Sequence, residues 1–221
     1  AQHVESSLKA GVGILWIGAR SSVSPFVVQE IADALKGTDV PVFVKNPINP
    51  DIKLWVGALE RLRSAGIHRL AAVHRGFSSF EKSVYRNVPN WEIPIELKRQ
   101  MPNLDIICDP SHIAGNRELL AHVSQKALDL DMSGLMIEAH IDPNNALSDA
   151  DQQITPHTLS NLLNALNIRS AHSINPESEQ RLLDLRSIID ELDEVLLQKL
   201  GARMEVVKEI GSFKKSHDIT I

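Results

Sequence analysis

The stretch "LDIICDPSHIAGNRELLAHVSQKALDLDMSGLMIEA" (104–139) decides the fold. It opens on a short apolar run, "LDIICD" (104–109), and passes through "PSHIAG" into a helical pattern, "NRELLAHVSQKALDLD" (116–131). It closes on a second apolar run, "GLMIEA" (134–139). Strand, helix and strand within ~35 residues make a βαβ unit, whose strands lie parallel with the helix packed across them. The tip of the first run carries Asp109, Ser111 and His112. A strand that only fills a core needs none of these, whereas parallel βα architectures place their chemistry just past the C-terminal ends of strands.

Outward from this unit the pattern repeats. "VGILWIG" (12–18), "VPVFVK" (40–45) and "RLAAVH" (69–74) are three more apolar runs. All five start roughly 30 residues apart, the spacing of βα units. "PFVVQEIADALKG" (25–37) and "DIKLWVGALERLRSAG" (51–66) lie between them with helical spacing and a glycine stop. The alternation predicts an α/β fold, a parallel sheet covered by helices. After "HTLSNLLNALNIRS" the alternation ends: "SAHSINPESE" (170–179) reads as a polar linker. One long amphipathic helix follows, with Leu185, Ile189, Leu192, Leu196, Leu200, Met204, Val207 and Ile210 at spacings of three and four. Two modules are expected, βα units over 1–169 and a helix over 180–221.

Composition narrows the function classes. A formal charge of −5 supplies no basic footprint for nucleic acid. A single cysteine, Cys108, excludes a disulfide framework and fits the reducing cytoplasm. No apolar run reaches the ~18 residues that span a membrane. "AQHVESSLKAGVG" has no apolar core of a signal peptide, begins without methionine and reads as the middle of a helix, so further sequence upstream is expected.

The five strand tips carry Arg20, then Lys45, then His74 and Arg75, then Asp109, Ser111 and His112, then Glu138 and His140, with Asp149 following in "NALSDA". The first three tips are cationic. Arg20, Lys45 and Arg75 together suit a phosphate and a carboxylate, because guanidinium groups match such oxyanions with paired hydrogen bonds. The last two offer His112, Glu138 and Asp149. One imidazole with two carboxylates suits a borderline divalent cation such as Mn²⁺, Fe²⁺ or Zn²⁺. A metal beside an anion clamp points to chemistry on a phosphorylated acid. Each residue alone has a plainer reading: a charged residue at a strand end is usually solvated, Cys108 within its strand packs the core, and His140 either supports the site or faces water. Five loaded tips out of five outweigh those readings.

"IGAR", "VKNP", "HRGFSSFEK", "DPSH", "IEAH" and "ALSD" occur in the order found in the type I-beta 3-deoxy-D-arabino-heptulosonate 7-phosphate (DAHP) synthases, which residues 1 to about 165 resemble. The resemblance implies a (β/α)8 TIM barrel, of which five βα units are recognisable. It implies condensation of phosphoenolpyruvate with erythrose 4-phosphate, the first step toward chorismate and the aromatic amino acids. Arg20, Lys45 and Arg75 are then expected to hold phosphoenolpyruvate, and His112, Glu138 and Asp149 the metal, with Asp109 near the aldehyde; Lys45, Asp109 and His112 are the expected catalytic groups. The family's "GPCS"-like motif, source of a fourth, cysteine ligand, and its "KPRTSP" motif for erythrose 4-phosphate are not in this sequence, and Cys108 lies in the wrong place to replace that ligand. The sister synthase that joins phosphoenolpyruvate to arabinose 5-phosphate shares barrel and clamp and is the alternative.

"LLDLRSIIDELDEVLLQKLGARMEVVKEIGSFKK" (182–215) resembles the first helix of the all-helical chorismate mutases, which argues against that alternative. Arg186, Arg203 and Lys214 match that family's chorismate-binding cations. Arg203 and Lys214 fall within about 20° on one helix face and roughly 16 Å apart, whereas Arg186 lies roughly 25 Å from Arg203 along the axis. The resemblance therefore implies an intertwined homodimer, or a higher homo-oligomer, whose pockets mix residues of two chains. The sum is a cytoplasmic bifunctional enzyme with both modules incomplete here, its mutase part mediating feedback. A chain without either activity that only self-associates through its helix is the non-enzyme alternative.

Overall fold

The computed structural model describes residues 2–168, 176–217 and 219. The chain divides into two compact units, residues 1–169 and 170–221, and each is described by itself.

In the first unit, helix α1 (Gln2–Lys9) precedes strand β1 (Leu15–Ile17). Helices α2 (Ala19–Ser22) and α3 (Pro25–Leu35), strand β2 (Val42–Lys45), helix α4 (Ile52–Ser64) and strand β3 (Leu70–His74) follow. Then come α5 (Glu92–Gln100), β4 (Asp105–Cys108), α6 (Pro110–Ala114), α7 (Leu120–Asp129), β5 (Gly134–Leu135) and α8 (Pro156–Ala165). The strands form one sheet in the order β1-β2-β3-β4-β5, every neighbouring pair parallel.

The strands meet helices through caps that short polar residues supply. Ser24 accepts from the Val27 amide at 3.4 Å before Pro25. Asp51 accepts from Lys53 and Leu54 at 2.9 and 3.2 Å, and Thr155 accepts from Thr158 at 3.1 Å before Pro156. Such caps satisfy amides that have no partner within the helix, and proline at the first helical position has none to lose. Because the strands are parallel, the caps that directly follow them fall at one end of the sheet, and that end carries the strand tips.

One face of the sheet packs on helices. Val42 and Val44 of β2, Ala72 of β3, and Ile106 and Cys108 of β4 are buried with Val28, Ala32 and Leu35 of α3 and with Trp55, Leu59 and Leu62 of α4. Cys108 is the packing residue expected, fully buried, and burial pushes its thiol well above its ordinary pKa.

The structure departs from the sequence reading in three places. The fifth run is a strand only over Gly134–Leu135. The Met136 amide still donates to the Cys108 carbonyl at 2.7 Å, but the Glu138 amide then turns to the Ser111 hydroxyl at 2.9 Å, and Ala139 bridges Ile154. Helix α5 was not anticipated: Pro94 breaks its pattern, yet sits in the first turn, where a missing N–H costs little. Helix α9 (Pro176–Ser216) starts inside the segment expected as a linker, with proline again in its opening turn; residues 170–175 of that linker lie outside the described residues.

In the second unit α9 stands alone among the described residues. Leu185, Leu192, Leu196 and Met204 of the expected stripe are exposed, and so are Leu183, Ile188, Val195, Leu197 and Phe213 off it. Apolar residues therefore occupy more than one face, the pattern of a helix that is buried on several sides. No helix among the described residues is long and apolar enough to cross a membrane.

Candidate functional site

The turn after β1 puts Arg20 in α2, β2 ends on Lys45, and Arg75 is the first residue past β3. His112 lies in the short α6 that follows β4, Glu138 comes just after β5, and Asp149 sits in the next loop. Asp149 has φ 49°, a left-handed conformation that aspartate tolerates better than most residues. A cleft of about 260 Å³ brings Arg20, Lys45, Arg75, Arg86, His112 and Asp149 onto one wall system.

Asp109 organises the cationic side from below. It is 1% exposed and caps α6 by accepting from the His112 amide at 3.1 Å. Its carboxylate also accepts from Lys45 Nζ at 2.9 Å and from His112 Nδ1 at 2.9 Å. Burial opposes its ionisation, but the bonds from His112 and Lys45 outweigh burial and hold its pKa below the ordinary value. Asp109, expected near the aldehyde, is bonded to Lys45 and His112, two residues of the cleft wall, and does not itself line the cleft. With Nδ1 donating to Asp109, the ring's lone pair is on Nε2, available to a metal.

Two buried asparagines brace Arg75. The Arg75 amide donates to Asn46 Oδ1 and its guanidinium to Asn87 Oδ1, both at 2.7 Å. Asn87 in turn donates to the His112 carbonyl at 2.7 Å. Burial, and then Arg86 and Arg20 nearby, lower the Arg75 pKa, partly offset by Asp109 and Asp149. Cations crowded in this way favour the arrival of an anion.

His112, Glu138 and Asp149 each present a ligand atom, and these atoms lie within 4.8 Å of one another. One nitrogen and two carboxylate donors this close fit a borderline divalent cation. Arg86 donates to Asp149 Oδ1 at 2.6 Å, which holds that carboxyl below its usual range. Arg86 also donates to Gln152 Oε1 at 2.7 Å.

Of the other tip residues, Ser111 is buried and accepts from the Glu138 amide. His140 Nδ1 accepts from the Asp142 amide at 3.0 Å, a turn within its own loop. His74 is fully buried, with its ring centroid 6.4, 5.7 and 5.2 Å from those of Trp55, Phe77 and Trp91. Neither of its nitrogens makes a hydrogen bond of good geometry among the described residues, although the Pro89 carbonyl slightly favours a proton there. Burial lowers its pKa to about 3, so the ring is a neutral core member. Arg186, Arg203 and Lys214 all lie on α9, exposed or partly exposed.

Sequence reasoning missed Asn46, Arg86, Asn87 and Gln152. Asn46 and Asn87 adjoin residues of the site in the "KNP" and "RNVP" loops, and only that adjacency marked them.

Residues 6–172 match the profile of the DAHP synthetase I family, and residues 185–221 that of chorismate mutase type II. A phospho-2-dehydro-3-deoxyheptonate aldolase of Thermotoga maritima is 28% identical over 141 residues, which is 64% of this chain and 40% of that protein. The truncated form of DAHP synthase from the same organism superposes with a TM-score of 0.64 at 25% identity, covering 72% of this chain and 58% of that one. A crystal structure of the aldolase gives a TM-score of 0.66 at 24% identity over 74% of this chain and 46% of that one, and speaks for the fold. The chain thus spans less than two thirds of the relatives it matches, and its five parallel strands are five of the eight βα units of a TIM barrel. Matched over most of its length, it belongs to the DAHP synthetase I family and carries a chorismate mutase type II segment at its C-terminal end.

Proposed function

We propose that the whole protein condenses phosphoenolpyruvate with erythrose 4-phosphate to DAHP in the cytoplasm, and that its C-terminal module converts chorismate to prephenate. The observation that carries the reading is that Arg20, Lys45 and Arg75 line the same small cleft as His112 and Asp149. Three cations there match the charge of one phosphate plus one carboxylate. They bind phosphoenolpyruvate and orient its enol carbon toward the aldehyde, lowering the entropic cost of the encounter. Asp109 holds the Lys45 ammonium and the His112 ring in place for this. His112, Glu138 and Asp149 hold a divalent ion, Mn²⁺, Fe²⁺ or Zn²⁺, which when bound supplies Lewis-acid polarisation of the aldehyde carbonyl or activates water.

The mutase module acts through Arg186, Arg203 and Lys214 on chorismate. A second copy of the chain covers the apolar faces of α9, and chorismate or prephenate bound there restrains the synthase. Loss of phosphoenolpyruvate absorbance in the full-length protein tests the reading. Consumption requires erythrose 4-phosphate and a divalent cation. Faster consumption with arabinose 5-phosphate assigns the sister reaction instead.

A further inference from the structure

We propose that Gln152 is a positioning residue that fixes the Glu138 carboxylate relative to Asp149 for the cation; this rests on the metal reading above. Gln152 is 1% exposed. Its Nε2 donates to Glu138 Oε2 at 2.7 Å, and its Oε1 accepts from Arg86 at 2.7 Å. The same Arg86 nitrogen donates to Asp149 Oδ1 at 2.6 Å. One buried carboxamide and one guanidinium therefore link the two acidic members of the set.

The chemistry leaves little choice of side chain. Arginine only donates and a carboxylate only accepts, so the group between Arg86 and Glu138 must accept on one side and donate on the other. A glutamine amide does both without charge. A glutamate there would turn a second carboxylate on Glu138, and an apolar residue would leave a carboxylate oxygen and a guanidinium nitrogen each short of a partner. The backbone adds to the constraint. The Gln152 amide donates to the Asp149 carbonyl at 3.2 Å, so one tight turn carries both the ligand and its brace. The Glu138 amide is already held by the Ser111 hydroxyl at 2.9 Å, and its carbonyl accepts from the Ile154 amide at 3.2 Å. With the main chain pinned on both sides, the Glu138 side chain is the remaining freedom, and Gln152 removes it. Partners that orient metal ligands in this way are worth 10- to 100-fold in affinity.

Mn²⁺ titration of the full-length protein, followed by the electron paramagnetic resonance of free aqueous Mn²⁺, tests this. Gln152→Met is expected to weaken Mn²⁺ binding about 10- to 100-fold and to alter the ligand-field absorption of bound Co²⁺. A merely structural role would lower the urea midpoint and leave both readouts alone; a change within threefold and an unaltered Co²⁺ spectrum overturn the proposal. If the methionine variant does not fold, Gln152→Asn, whose amide is one methylene too short to reach both partners, is held to the same two outcomes. A wild-type protein that takes up none of Mn²⁺, Fe²⁺ and Zn²⁺ overturns the metal reading itself, whereas wild-type binding with an unaltered variant overturns only the role of Gln152.

Discussion

Lys45 Nζ and Asp109 Oδ2 lie 2.9 Å apart and join the tip of β2 to the tip of β4. Their side chains are 12% and 1% exposed, so the pair is shielded from solvent. Asp109 also bonds His112, which ties the proposed anion clamp to the candidate metal ligands through one carboxylate.

Removing that carboxylate leaves a poorly solvated ammonium and an uncapped helix. Asp109→Ala is expected to cost about 3 kcal/mol of folding stability, in the range for breaking a buried pair. Urea unfolding measures it; a loss below about 1 kcal/mol would mean that Lys45 finds water or another partner.

Arg75 is a half-buried member of the proposed clamp, braced by Asn46 and Asn87. Loss of one charge-assisted contact costs about 1.5–3 kcal/mol, so Arg75→Ala should weaken phosphoenolpyruvate binding by roughly 10- to 150-fold in titration calorimetry. A change below twofold would remove Arg75 from the site.

How legible these features were depended on periodicity. The five strands and the helices α3, α4 and α7 show in the apolar spacing, because burial on one face enforces it. The tip residues Arg20, Lys45, Arg75, His112, Glu138 and Asp149 could be read because strand ends mark where side chains converge. Helix α5 hid behind Pro94. Asn46, Asn87 and Gln152 hid because a buried amide that serves another side chain follows no period, and its role exists only once distant loops meet. His74 stands at a strand tip too, yet Trp55, Phe77 and Trp91 surround it, an enclosure that its position in the sequence does not reveal.

His74 gives a pH signature. Folded, it takes a proton only near pH 3, whereas the unfolded chain does so at its ordinary 6.5. The unfolded state binds more protons between those values, so stability is full above pH 6.5 and falls as pH drops toward 3. By about pH 4.5 the loss should be about 3 kcal/mol. His74→Leu should lack this part of the decline in urea midpoints measured from neutral to acid pH; parallel curves for both proteins would contradict it.

Arg186 and Arg203 are separated by seventeen residues of one continuous helix, roughly 25 Å. If each mutase pocket takes one arginine from each chain, Arg186→Ala and Arg203→Ala are each inactive alone yet complement when mixed. About a quarter of wild-type mutase activity is expected, since half the dimers are mixed and each has one intact pocket. No recovery despite demonstrated subunit exchange would contradict the shared pocket.

In the proposed function, His112, Glu138 and Asp149 hold the ion that the synthase reaction needs. Metal content and DAHP formation, measured on the full-length protein and its His112→Ala variant, test it most directly. The variant should keep its circular dichroism spectrum while losing both the bound divalent ion and turnover. Unchanged metal stoichiometry and turnover in that variant would contradict it.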